Sequence, residues 1–327
     1  MCRAHVPARG DTVNAPHRVA AIDIGTITTR LLVADVGPGG VTEVLRSTDI
    51  THLGEGLARS GRLSEVAIAR VDAVIARYAV HLRELGVESY RAVATSASRD
   101  ASNSAEFAEL LARHGIDAVI VAGDTEARLA FAGATHALVG EGLLVNDIGG
   151  GSTELVLGRR PADDGPGPSE VIAASSVDVG SRRVTEMYLA SDPPTSAELV
   201  AAERWTREEL APYFAVLPEP ARLSIALAGT ATTLSAIWQG LEVYDPERVH
   251  GSVLTVDEIS GLLDRLASLP LERRTAEVVG LDPGRAPVII AGTLILLTVL
   301  DLAGLDSTLV SEHDILYGIV LDVHDRL

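Results

Sequence analysis

The sequence predicts an α/β chain made of two copies of one domain, each a mixed sheet with helices packed on it. Val19–Asp35 (VAAIDIGTITTRLLVAD) and Leu143–Gly158 (LLVNDIGGGSTELVLG) repeat one pattern: an apolar strand entering Asp-Ile-Gly, a polar turn, and a second apolar strand. Each repeat is followed by another strand and then by alternating helix and strand patterns, the order expected of a mixed sheet covered by helices. A chain of 327 residues with ordinary apolar content can also bury about two cores.

In the first copy, Thr42–Asp49 reads as a third strand and Ser64–Leu85 as an amphipathic helix stopped at Gly86. Tyr90–Thr95 reads as a strand, Ser104–His114 as a helix closed by Gly115, and Ala118–Ala122 as a further strand. Thr125–Val139 is expected to be the helix connecting the halves. In the second copy, PADDGPGPSE forms a solvated hairpin tip, Val171–Val177 the third strand and Ser181–Tyr188 a helix. The turn SDPPTS precedes a helix at Ala197–Tyr213, and the apolar strand Leu223–Ala228 runs into Gly-Thr-Ala-Thr-Thr, which opens another helix. Ala286–Leu300 is strongly apolar but, at fifteen residues, too short to span a bilayer, and reads as a buried helix. Ile315–Val323 has helical spacing and is expected to return to the first domain. The expected division is a flexible tail at 1–16, domain I at 17–130 plus 312–327, and domain II at 131–311.

The repeated hairpins are suited to phosphate. Lacking Cβ atoms, Gly149, Gly150 and Gly151 let backbone N–H groups approach an anion, and Ser152 and Thr153 add hydroxyl donors. Aligning Asp23 with Asp147 puts Gly25 on Gly149 and Thr29 on Thr153. An aspartate at each strand end cannot face phosphate directly, so Asp23 and Asp147 imply Mg²⁺ or a held water. One such hairpin is usually only a turn; two in one register imply a ligand between the copies.

Net charge and cysteine usage narrow the partners. The formal charge is −18 and none of the 27 basic residues is lysine, which argues against a general nucleic-acid or anionic-membrane surface. An acidic protein that binds a polyanion must concentrate its arginines and recruit metal. The only cysteine, Cys2, excludes an internal disulfide and a cysteine metal cluster, which fits a reducing cytoplasm. The first sixteen residues lack the apolar run of a signal peptide.

Other residues carry chemistry less distinctly. Glu126 falls at a helix start that Asp124 can cap; it is either a base held ionised by the helix dipole or an ordinary first-turn glutamate. Arg99 lies in SASRDASN, where Ser96, Ser98 and Asn103 could be helix caps and the arginine either solvated or a bidentate phosphate clamp. Asp147 and Glu154 sit on opposite strands of one hairpin and can face one cleft. Gly229, Thr230 and Thr232 can form a third anion loop at a helix N-terminus. Arg183 can cover a helix face with its stem, and His250 reads as structural because no metal-ligand spacing accompanies it.

The segments DIGT, ATSASRDASN, GDTEARLAFAGA, NDIGGGSTE, VDVGSRRVTE, AGTATTLSA, VHG, GRAPVIIAG and SEHDILYGI, in this order, resemble the exopolyphosphatase and guanosine pentaphosphate phosphohydrolase family over about residues 18–325. The resemblance implies duplicated ribonuclease H-like domains, as in actin, sugar kinases and the heat-shock ATPases, with the active site in the interdomain cleft. It implies Glu126 as catalytic base, with Asp147 and Glu154 holding Mg²⁺ or orienting the water. It places phosphate on Asp23, Gly25, Thr26, Thr28, Arg99, Gly149, Gly150, Gly151, Ser152, Thr153, Gly229 and Thr230, and matches Arg183 to the arginine of the family's Gly-x-x-Arg turn. The chain departs from the family at Ile27-Thr28, where Asn-Ser or Asn-Thr is usual, so an amide donor is missing. It resembles the short, two-domain members. The implied activity is Mg²⁺-dependent release of terminal phosphate from inorganic polyphosphate, with guanosine pentaphosphate as the alternative substrate. The sequence also admits a catalytically weak sensor of polyphosphate or alarmone, and a kinase of the same fold. The resemblance further suggests a homodimer.

Overall fold

The computed structural model describes residues 16–161 and 169–327, so Cys2, nearly all of the 1–16 tail and most of the PADDGPGPSE tip lie outside the described residues. The first half runs β1 (His17–Ile24), β2 (Thr28–Gly37), β3 (Gly40–Ile50), α1 (Leu57–Ser60), α2 (Glu65–Glu84), β4 (Ser89–Ala94), α3 (Ser96–Asp100), α4 (Ser104–Ala112) and β5 (Ala118–Ile120). Helix α5 (Gly123–Thr135) leads into β6 (Gly140–Ile148), β7 (Thr153–Arg160), β8 (Glu170–Val177), α6 (Ser181–Tyr188), α7 (Ser196–Ala215), β9 (Leu223–Leu227) and α8 (Ala228–Trp238). The remainder comprises α9 (Pro246–Val249), β10 (Val253–Thr255), α10 (Val256–Ala267), α11 (Leu271–Glu277), α12 (Ile289–Ala303), β11 (Ser307–Val310) and α13 (Ile315–His324).

The two sheets share one topology. The first is ordered β3-β2-β1-β4-β5, with β1 to β3 antiparallel and β4 and β5 parallel to β1. The second repeats this as β8-β7-β6-β9-β11 and adds β10 antiparallel at the edge. Both are ribonuclease H-like, as the resemblance implies.

Side chains alternate across each strand, so a strand buried on both faces reads as a continuous apolar run. In β1, Ala20, Ile22 and Ile24 face a core with α2 and α4, whereas Val19 and Ala21 face a second core. That second core also takes Val145 of β6, Val156 of β7, Phe131 of α5 and Ile319 of α13, so α5 and α13 are packed between the sheets. The outer face of the second sheet supplies Leu144 and Leu155 to a third core under α7, α8, α10 and α12.

Helices α5 and α13 cross in direct backbone contact. A Cβ on Gly133 would fall 1.9 Å from the Asp314 carbonyl oxygen, and one on Gly318 would fall 1.9 Å from that of Leu129. No residue larger than glycine fits at either place without parting the helices.

Three local expectations are corrected. The connecting helix spans Gly123–Thr135, not Thr125–Val139, and Asp124 does not cap it: its carboxylate accepts from Arg128 Nε at 2.8 Å, one turn on. Asn103 precedes α4 but uses its side chain on the Leu63 backbone, at 2.9 and 3.1 Å, so a long-range tie outcompetes the cap. The apolar run at Ala286–Leu300 is helical only from Ile289 and continues to Ala303; Pro287 lacks an N–H, and burial of Ala286 and Val288 does not require helix. Among the described residues, no helix is long and apolar enough to cross a membrane.

Candidate active site

The two hairpin turns face each other. Each closes on itself through one backbone hydrogen bond, Gly25 N–H to Thr28 O at 2.8 Å and Gly149 N–H to Ser152 O at 3.0 Å. Ile27 is buried against the opposite turn: a Cβ on Gly150 would fall 2.6 Å from Ile27 Cγ1. The residue that replaces the family's amide donor therefore packs the two turns together.

The carbonyl groups of the glycine turn are all directed at α6. Ser181 N–H donates to Gly149 O at 2.9 Å, while Arg182 and Arg183 N–H donate to Gly150 O at 2.9 and 3.1 Å. Gly180 permits this approach, since a Cβ there would fall 2.4 Å from Gly150 O. In a trans peptide the N–H points opposite to the C=O. The N–H groups of Gly150, Gly151 and Ser152, which have no partner among the described residues, are thereby turned toward the cavity that these residues line.

That cavity, of about 50 Å³, is bounded by Asp23, Gly25, Thr26 and Thr28 of the first hairpin and by Asp147, Gly149, Gly150, Gly151, Ser152 and Glu154 of the second. Glu126, Gly229, Ser96, Arg30 and Arg285 also line it. Arg30, Gly229 and Arg285 also line an adjoining cleft of about 720 Å³.

Four carboxylates border this space in different states. Asp23 is held by Arg30, whose Nη2 donates to Oδ2 at 2.6 Å; Asp23 Oδ1 is buried with no partner among the described residues. Arg30 also pairs with Asp314, which caps α13 by accepting from Leu316 N–H at 2.9 Å. Asp147 and Glu154 lie directly across the strand pair from each other, and neither makes an ion pair among the described residues. Glu154 Oε1 accepts from Ser152 Oγ at 2.8 Å and Ser176 Oγ at 2.7 Å. Glu126 Oε2 accepts from Arg99 Nη1 at 2.6 Å. Burial pushes Glu126, Asp147 and Glu154 above the usual carboxylate range; Glu126 and Asp147 repel Glu154 further, and Arg99 opposes the rise at Glu126.

Arg285 is the cation left over. A Cβ on Gly229 would fall 2.1 Å from its guanidinium carbon, so glycine is what lets it reach the cavity. It makes no ion pair among the described residues; burial and the charge of Arg30 lower it to about 10, so it stays protonated at neutral pH.

Three of the anticipated phosphate ligands are placed elsewhere. Arg99 is outside the lining and is engaged by Glu126 and by the Val121 carbonyl at 3.1 Å. Thr153 Oγ1 donates to Val179 O at 2.6 Å inside the fold. Thr230 is buried with its hydroxyl against Gly292, 2.4 Å from where a Cβ would stand. Thr232 lines the larger cleft, and His250 stacks on His313 with ring centroids 4.1 Å apart. Arg30, Arg285, Asp314 and Ser176 were not singled out from the sequence. Arg30 had a signal, because the alignment of Asp23 with Asp147 also pairs Arg30 with Glu154.

Comparison with known proteins places the chain in a family. Residues 32–326 match the model of the Ppx/GppA phosphatase family. The chain is 41% identical to Exopolyphosphatase 2 of Mycobacterium tuberculosis, over 94% of this chain and 98% of that protein. It is 27% identical to the guanosine-5'-triphosphate,3'-diphosphate pyrophosphatase of Aliivibrio fischeri, over 95% of this chain and 60% of that one. A crystal structure of the Aquifex aeolicus Ppx/GppA family member superposes with a TM-score of 0.78 at 32% identity, covering 95% of this chain and 98% of that chain. The chain belongs to the Ppx/GppA phosphatase family.

Proposed function

We propose that this protein is a cytoplasmic exopolyphosphatase that hydrolyses the terminal phosphoanhydride bond of inorganic polyphosphate. The observation that carries this reading is the set of three unpartnered N–H groups, on Gly150, Gly151 and Ser152, bordering a small cavity beside Glu126 and Arg285. The terminal phosphate occupies that cavity, with Thr26, Thr28 and Gly25 on its other side and the rest of the substrate in the larger cleft. Glu126 takes a proton as water attacks phosphorus; the bridging P–O bond breaks, and the shortened chain leaves with the bond electrons. The donors of the glycine turn stabilise charge on the transferred group. Arg99 serves by orienting Glu126, and Arg285 grips the phosphate in its stead.

The residues fit Mg²⁺. Asp147 and Glu154 are buried and raised in pKa, and neither they nor Asp23 Oδ1 find a cation or hydrogen-bond donor, respectively, among the described residues. Among those residues no group of three His, Cys, Asp or Glu side chains is placed to hold a metal by itself, so Mg²⁺ here would need water and phosphate to complete its shell. Asp147 and Glu154 would hold it, and it would supply charge neutralisation at the phosphoryl oxygens.

Guanosine pentaphosphate is the second substrate reading, favoured by the Aliivibrio fischeri relative and by a cleft of about 720 Å³, roomier than a phosphate chain needs. We assign domain I to 17–130 plus 312–327 and domain II to 131–311, and carry over a homodimer from the family. Phosphate release from polyphosphate, guanosine pentaphosphate and ATP under identical Mg²⁺ conditions tests the function. Release fastest from polyphosphate is expected; no release from any of the three would overturn it.

A further inference from the structure

Arg183 sits behind the glycine turn, outside the small cavity. Its backbone N–H joins those of Ser181 and Arg182 in holding the carbonyls of Gly149 and Gly150, but its side chain does something separate. Arg183 Nε donates to Gly151 O at 2.9 Å. That carbonyl belongs to the Gly151–Ser152 peptide, whose N–H is the third donor facing the cavity. No backbone donor of α6 reaches Gly151 O, so the guanidinium is what sets this peptide's direction. Without it, a Gly-Ser peptide between two residues of a tight turn is free to rotate and present its carbonyl to the phosphate instead.

The same guanidinium spans the two halves of the molecule. Arg183 Nη2 donates to Asp100 Oδ2 at 2.6 Å. Asp100 ends α3, and its neighbour Arg99 holds Glu126. One planar group thus ties the donor turn of the second half to the helix that orients the carboxylate of the first. A lysine, with a single charged point, cannot hold a carbonyl and a carboxylate in this fork.

We propose that Arg183 is a positioning residue: through Gly151 O it aims the Ser152 N–H at the transferred phosphoryl group, and through Asp100 it fixes that donor's distance from Glu126. The proposal rests on the phosphoryl-transfer reading above and deepens it. Donors aimed where charge develops act on the transition state more than on the bound ground state. Loss of Arg183 therefore has a particular kinetic form.

The test compares wild type with Arg183→Met and Arg183→Lys in turnover, in KM, and in inhibition by orthovanadate and by inorganic phosphate. Removing one directly aimed donor costs about 10²–10³ in kcat, and a misaimed one less, so Arg183→Met should lower kcat about 10- to 100-fold while KM changes less than about 3-fold. Orthovanadate, which takes up the trigonal-bipyramidal geometry of transfer, should weaken in step with kcat while phosphate inhibition holds. Arg183→Lys should fall between the two and serves in place of Arg183→Met if that variant does not fold. A folded Arg183→Met with wild-type kcat, or equal weakening of vanadate and phosphate, would overturn the proposal. If wild type releases no phosphate from any substrate, the functional reading fails by itself. Protection of the melting temperature by vanadate, compared with phosphate in wild type and variants, then decides the positioning role without turnover: selective loss of vanadate protection supports it, and equal protection in all three proteins ends it.

Discussion

Arg30 and Glu154 occupy the same place in the two hairpins: each lies directly across the strand pair from the motif aspartate, Arg30 from Asp23 and Glu154 from Asp147. One substitution of charge separates the copies. The first hairpin neutralises its own aspartate, whereas the second sets two carboxylates side by side that make no ion pair among the described residues. The duplicated fold is thus chemically unequal: the first hairpin pairs its aspartate internally, and the second is the one we propose to hold Mg²⁺.

Arg30→Met tests the first hairpin. Arg30 is buried between Asp23 and Asp314, and removing it strands two buried carboxylates. Breaking a buried pair in this way costs about 3–5 kcal/mol, so the denaturation midpoint should fall markedly at neutral pH. An unchanged midpoint would show that the bridge is not formed in solution.

Glu154→Gln tests the second hairpin through pH. Burial raises the folded pKa of Glu154 above its unfolded value, so the native state binds more protons and stability falls as pH rises from the unfolded pKa toward the raised one. In chelator, wild type should lose melting temperature over this interval and Glu154→Gln should lose less. Added Mg²⁺ should stabilise wild type more than Glu154→Gln at the upper end. Identical melting curves for the two proteins, with and without Mg²⁺, would remove Glu154 from the metal assignment.

Glu126→Gln should keep the fold and lower turnover by about 10²–10⁴, the usual range for a general base. Arg99→Met should act on the same step from behind. Arg99 opposes the rise in the Glu126 pKa, so its removal raises that pKa further and the acid limb of the rate profile moves to higher pH. A pH profile in which kcat is untouched and only KM rises would return Arg99 to the role of phosphate clamp.

Chain-length behaviour follows from the larger cleft, where Arg30, Arg46 and Arg285 are set among Glu43, Glu242, Asp282, Glu312 and Asp314. Carboxylates outnumber arginines there, so a long polyanion has little to hold it between cuts. Hydrolysis should be distributive, with short chains handled at least as well as long ones. On a gel, a long substrate should shorten gradually; full-length material coexisting only with free phosphate would mean processive action.

The sheets were legible because burial on both faces writes strands as apolar runs, and the repeated Asp-Ile-Gly register showed the duplication directly. Helix α10 was not anticipated, although the capping box of Thr255 and Glu258 marks its start. Short elements such as α1, α3 and β10 have too few residues to show a period. The motif residues at the turns were expected at one cleft, and they line one cavity. The placement of Arg99, Thr153 and Thr230 was not legible, because a side chain's direction depends on neighbours distant in sequence: Glu126, Val179 and Gly292. Arg285 was hidden for the same reason, since its reach depends on the missing side chain of Gly229.

The backbone crossing of α5 and α13 has a consequence in time. Ribosomes deliver β1 and β2 first, yet the layer that covers their inner face includes α13, made some 280 residues later, together with Asp314, the second anchor of Arg30. A nascent chain can build both sheets and still lack that cover, with Arg30 half satisfied. Chains interrupted anywhere before α13 are therefore synthesised without a finished first hairpin.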